Sequence, residues 1–185
     1  MGACGGPSAP NPPARTCISG QYHFQLNYPD GWKAQAVVVK VDPSASPLTC
    51  VQAGSADVTP GGSAAIPLTV ILTHTNGKQV ASHVSTLTIE VISLSELQRI
   101  DADSAKKARE LAKDKTLHAV QLAGLTAYES DPVDQPVTGA DVSITHTDYY
   151  LVHDSVEYQL STDAVSDDGA QAALQSMLQS FAFTA

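Results

Sequence analysis

This chain predicts an α+β layered domain, and three observations carry that prediction. Short stretches in which apolar and polar side chains alternate, each bounded by Gly, Pro, Asn or Asp, recur along most of the chain. Apolar residues recur at helical spacing in only two places, from Leu94 to Leu111 and from Ala170 to Phe181. Consecutive strand runs are joined by tight turns instead of alternating with helices, so a βαβ series is excluded.

Residues 1–16 are mostly Gly, Pro, Ser, Ala and Asn without period and read as a flexible N-terminal tether, leaving 17–185 as a single domain. Tyr22 to Tyr28 reads as a strand that halts at Pro29-Asp30-Gly31, with Trp32 available to close the edge of the core. Ala34 to Val41 follows as a second strand, Pro43 to Pro47 as a turn, and Val51 to Ala65 as a Gly- and Ser-rich surface loop. Leu68 to Thr73 and Val84 to Ile92 pair as strands through Asn76-Gly77, a strong hairpin signal. Ser93-Leu94-Ser95-Glu96 is a capping box, so a helix is expected from there to about Lys113. Its outer face carries Arg99, Lys106, Lys107, Arg109 and Lys113, suited to solvation and pairing with Glu110 and Asp114, the other reading being contact with anionic lipid headgroups near the tether. Thr116 to Leu122, Gly124 to Ser130, Val142 to His153 and Val156 to Thr162 supply four more strands, the last two joined in a tight hairpin at Asp154-Ser155. Asp167-Asp168 then opens a closing helix whose buried stripe is Ala170, Leu174, Met177, Leu178 and Phe181.

The formal charge is −9, with all ten Lys and Arg at or before Lys115. Residues 116–185 hold ten acids and no base, a solvated face or one suited to a basic partner or divalent cations. A nucleic-acid partner is excluded, because the densest basic run, Lys106 to Lys115, is interleaved with acids. No apolar run approaches the ~20 residues of a membrane helix.

The three cysteines have different settings. Cys4 follows Gly2-Ala3 and precedes Gly5-Gly6, a pattern like the tail of a bacterial lipobox, which makes Cys4 a candidate lipid attachment site; the other reading is a chance cysteine in a flexible tail. Cys17 and Cys50 form an even pair, bridged in a disulfide if the protein is extracytoplasmic and two buried thiols if it is cytosolic.

Catalytic signatures are missing from the sequence: there is no Gly-x-Ser-x-Gly elbow, phosphate-binding glycine loop, CxxC pair or HExxH. His23, His74, His83 and His118 stand singly on strands or their edges. One constellation is different. With Asp154-Ser155 as a two-residue turn, His153 pairs with Val156, and counting outward sets His146 opposite Asp163. His146 and Asp148 share a face because strand side chains repeat every two residues, so His146, Asp148 and Asp163 converge. An imidazole with two carboxylates suits zinc or manganese; the alternative is a partly exposed polar strand end.

The aromatic strand ending in Tyr28-Pro29-Asp30-Gly31-Trp32, taken with the mid-chain helix, the Gly124 hairpin, Tyr158-Gln159-Leu160 and Leu178-Gln179-Ser180-Phe181, resembles the PsbP-like family over roughly residues 20–183. The likeness is closer to its bacterial lipoprotein branch than to the plant subunit. The resemblance implies a central antiparallel β-sheet flanked by helices on both faces, an α/β/α sandwich. It implies no enzymatic activity, no obligatory cofactor, and an association of some members with divalent ions. The function expected is that of a non-catalytic extracytoplasmic lipoprotein domain, anchored to a bacterial membrane through Cys4, that binds or stabilises a membrane-associated protein. The alternative is a small-ligand or divalent-metal-binding carrier lipoprotein; a hydrolase is disfavoured because nothing places a nucleophile beside a base.

Overall fold

The computed structural model describes residues 15–19, 22–38, 49–51, 68–75, 83–93, 110–154, 156–166 and 168–184. In chain order the strands are β1 (Arg15–Ser19), β2 (Phe24–Tyr28), β3 (Trp32–Val38), β4 (Thr49–Val51), β5 (Leu68–His74) and β6 (Thr86–Ser93). They continue as β7 (Leu117–Leu122), β8 (Leu125–Ser130), β9 (Val133–Pro136), β10 (Ser143–His153) and β11 (Val156–Val165). Helix α1 (Ala170–Ser180) and the short β12 (Ala182–Phe183) end the chain.

These strands form two antiparallel sheets. The smaller runs β12-β2-β1-β4; the larger runs β3-β5-β6-β11-β10-β8-β7, with β9 also paired to β10. This corrects the expected sandwich of one central sheet with helices on both faces. Strand dominates the described residues, α1 is their one full helix, and a second sheet is present where the sandwich has none. The physical reason lies in the N-terminal strands. Cys17, Phe24, Leu26 and Tyr28 are buried on one side of β1 and β2, so these strands supply an apolar layer of their own and pair with each other, with β4 and with β12. Strand β1 starts at Arg15, inside the stretch read as tether.

One core cluster joins the layers. Val70, Leu72, Leu87, Ile89, Val91, Leu151, Tyr158 and Leu160 of the larger sheet meet Phe24 and Leu26 of the smaller one and Leu174, Met177 and Phe181 of the C-terminal segment. The buried stripe of α1 is Ala170, Leu174, Met177 and Leu178, as the spacing predicts, and it packs against β2 and β11. Phe181 sits just past the helix end, stacked on Phe24 at 5.4 Å between ring centroids.

Trp32 closes a corner of this core. Its indole is buried and stacks on the His74 imidazole at 4.9 Å. His74 Nδ1 lies 3.5 Å from Asp168 Oδ2, an oxygen that also accepts the Ser85 hydroxyl, while Asp168 Oδ1 accepts the Ala170 amide at 2.8 Å. Asp168 thus ties the first turn of α1 to β5 and to the approach to β6, and satisfies an amide that the helix leaves unpaired.

Several expectations lie outside the described residues: Cys4 and the tether up to Ala14, the Pro43 to Pro47 turn, the loop beyond Val51, the Asn76-Gly77 turn and the capped helix as far as Arg109. Ser93 itself ends β6, and extended backbone is the conformation an N-cap residue adopts. Glu110 and Leu111 are helical, and Leu111 is buried.

Candidate functional site

Strands β10 and β11 form the longest hairpin of the larger sheet. Asp154 takes a positive φ of 47° at its tip, His153 pairs with Val156, and His146 stands opposite Asp163. The two-residue period then places Asp148 beside His146. The imidazole is gripped at both nitrogens: Nδ1 lies 2.7 Å from Asp163 Oδ1 and Nε2 3.2 Å from Asp148 Oδ2. The carboxylates are braced in turn. Asp148 Oδ1 accepts the Ser161 hydroxyl and the Gln159 amide, and Asp163 Oδ2 accepts the Thr86 hydroxyl at 3.3 Å.

Partial burial disfavours a charged imidazole, but the hydrogen bonds and negative charges of Asp163 and Asp148 outweigh it and hold His146 above its ordinary pKa. Burial acts on Asp148 in the opposite sense and is likewise outweighed, by bonds from Ser161, Gln159 and His146, so that carboxyl is held below its usual range. Two carboxylates accepting from one ring is the geometry of an imidazolium, in which both nitrogens donate. A metal ligand needs a free nitrogen lone pair, and neither nitrogen of His146 offers one in this arrangement. Among the described residues no group of three or more His, Cys, Asp or Glu side chains is arranged to hold a metal ion. The three residues therefore meet as expected from the hairpin register, but as a hydrogen-bonded clamp that does not fit a metal centre.

On the opposite, core-facing side of the same sheet is a cleft against the helix whose convergent polar groups the sequence pattern does not reveal. It has a volume of about 300 Å³ and is lined by Val120, Gln121 and Leu122 of β7, Glu129 of β8, Tyr149 of β10, and Gln175, Leu178 and Gln179 of α1. Its shape follows from two local features. The β7–β8 hairpin turns at Ala123 and Gly124, both at positive φ (54° and 76°), which brings Leu122 opposite Leu125 and Val120 opposite Ala127. Strand β10 then pairs Tyr149 with Glu129 before shifting by one residue to pair Thr145 with Asp134 of β9. That extra residue is a bulge at Asp131-Pro132, and it ends the β8 side of the cleft.

Inside the cleft, burial pushes the Tyr149 phenol up, and its hydrogen bond to Glu129 pushes it further. Tyr149 remains a neutral donor to the Glu129 carboxylate. Among the described residues no cationic group pairs with Glu129. His118 stands opposite it in register but turns its Nε2 to Asp131, at 2.9 Å.

Cys17 is fully buried, and its partner in the β1–β4 ladder is Cys50. Of the other single histidines, His74 is the partner of Trp32 and Asp168, and His153 packs on Phe183 at 4.0 Å.

No family model matches the sequence, and no curated protein matches it. Solved structures do. The chain is similar to a Bacteroides thetaiotaomicron VPI-5482 protein known from a crystal structure at 1.50 Å resolution, with 10% identity and a TM-score of 0.54 over 94% of this chain and 49% of that one. It spans about half the length of the Bacteroides protein. The chain is also similar to LpqN, involved in cell envelope biogenesis of Mycobacterium tuberculosis (12% identity, TM-score 0.43, 88% of this chain and 83% of that one). A third similar structure is the cyanobacterial PsbP of Synechocystis sp. PCC 6803 (12% identity, TM-score 0.44, 99% and 98%). A PsbP structure, of the family that the Tyr28 to Trp32 segment resembles, is thus among the structures found. At 10% identity the likeness to the Bacteroides structure is one of fold alone.

Proposed function

We propose that this protein is a non-catalytic, extracytoplasmic binding domain, held to a bacterial membrane by lipid on Cys4 and docking a membrane-associated protein. The observation that carries the reading is the placement of Cys17 and Cys50. Residues directly opposed in an antiparallel ladder have Cα atoms roughly 4.5–5.5 Å apart, within the range a disulfide spans, and structural disulfides belong to oxidising compartments. The Gly2-Ala3-Cys4 context supports the anchor, and the tether gives the domain reach from the membrane surface.

The test is the intact mass of the native full-length precursor expressed in its own host, with and without thiol reduction. A diacylglyceryl-plus-acyl increment on Cys4 and a reducible Cys17–Cys50 bond are the expected result. An unmodified chain with three free thiols overturns both the anchor and the compartment. Crosslinking in membranes followed by mass spectrometry then identifies the protein partner, and recovery of the domain without any crosslinked membrane protein overturns that part of the proposal.

A further inference from the structure

We infer that the cleft between α1 and strands β7, β8 and β10 is a binding site for a small organic ammonium ligand, an apolar body carrying one protonated primary amine. This inference is independent of any protein partner. The floor is apolar, made by Val120, Leu122 and Leu178, and it accepts an aliphatic or aromatic body. Its volume of about 300 Å³ is that of a small-molecule site.

Charge selects the class of ligand. Glu129 is half-buried on the same sheet face as Ala127 and Leu151, which are fully buried, so its carboxylate sits where burial of a charge is costly unless it is paired. The Tyr149 hydroxyl supplies one neutral hydrogen bond. A carboxylate has about four acceptor sites, so most of its capacity is left for a ligand. No Lys or Arg occurs in residues 116–185, the segment that supplies every lining residue, so no cation comes from the cleft's own walls. A primary ammonium group carries the missing charge and three donors; Gln121, Gln175 and Gln179 at the rim offer amide oxygens to the donors Glu129 leaves over. An anionic ligand would meet an uncompensated carboxylate and is rejected.

The experiment is a titration of the full chain at pH 7 followed by 15N–1H correlation spectra, with 2-phenylethylamine as probe and 3-phenylpropionate as a body-matched anion. The amine is expected to shift the amides of Val120, Leu122, Glu129 and Leu178 along one saturable curve, while the anion leaves them in place. Glu129→Gln is expected to weaken amine binding at least tenfold, the loss of one charge-assisted contact. Gln175→Trp, at an exposed helix position, keeps the fold and blocks the cleft mouth, so it removes the shifts even if Glu129→Gln fails to give a dispersed spectrum. The inference is overturned by any of three results: no saturable shift, equal binding of the anion, or amine shifts that survive Gln175→Trp and map to the open acids Asp134 and Asp141.

Discussion

An imidazole held at both nitrogens by carboxylates makes stability respond to pH in a defined direction. His146 has a folded pKa above its ordinary 6.5, so its contribution is complete below pH 6.5 and fades as pH rises through the folded value. Asp148 has a folded pKa below 3.8, so its contribution is present above pH 3.8 and fades as pH falls through the depressed value. The clamp therefore supports the fold best between these limits. The His146 side chain is about a third exposed and that of Asp148 about a fifth, so after solvent screening His146→Gln is expected to cost about 1 kcal/mol at pH 5.5 and less at pH 8.5. Denaturant melts of the two proteins at both pH values measure this, and an equal difference at both would show that the imidazolium plays no part. At the β7–β8 turn, Ala123 holds a positive φ that Asn or Gly adopts at lower cost. Ala123→Gly is expected to stabilise the protein by roughly 0.5–1 kcal/mol, and Gly124→Ala to destabilise it by about 1 kcal/mol although its Cβ meets no atom within 4 Å. Both are read from the midpoint of urea unfolding.

At the scale of elements, α1 is the piece whose attachment is easiest to test. It is only eleven residues long and has no acidic residue in its first turn, so packing and the Asp168 contacts hold it more than intrinsic propensity does. The Asp168 carboxylate is fully buried and serves His74, Ser85 and the Ala170 amide. Asp168→Ala leaves those groups without their acceptor and is expected to cost about 2–3 kcal/mol. Leu174→Ala, in the middle of the buried stripe, is expected to cost about 2–4 kcal/mol through a cavity between the helix and the sheets. Calorimetric unfolding measures both losses and amide hydrogen exchange distinguishes them: only Asp168→Ala should speed exchange selectively in the first turn of α1. The far end is clipped by Ser180, whose hydroxyl accepts the Asn27 amide at 2.8 Å, so the helix is fixed to β2 at one terminus and to β5 at the other.

For the whole molecule, the decisive contacts cross between the two sheets. Phe24, Phe181, Phe183 and Tyr158 form one aromatic cluster, and the Tyr158 hydroxyl donates to the Tyr22 carbonyl at 2.7 Å. The smaller sheet is short and depends on this cluster for its place. A Cys17–Cys50 bridge would tie it further, closing a loop that contributes about 4 kcal/mol in the chain-entropy account. Thermal unfolding with and without reductant measures that contribution. A midpoint unchanged by reduction would show that the two strands hold together by pairing and packing alone.

The sequence by itself determined β2, β3, β5 to β8, β10 and β11, the closing helix and the meeting of His146 with Asp163, but not β1, β4, β9 or β12. Each is a local matter: a two-residue or 3.6-residue period sets which side chains share a face, and the short turn at Asp154 carries the register outward along both arms of one hairpin. The tertiary structure alone decided that the N-terminal strands leave the main sheet for a second one, that Glu129 faces Tyr149, and that Gln175 and Gln179 overhang them. A strand's period says which of its faces is apolar but not which distant strand or helix will cover it. That choice is made by packing and hydrogen bonding summed over the whole core, where Phe24, Tyr158 and Phe181 meet from three distant parts of the chain.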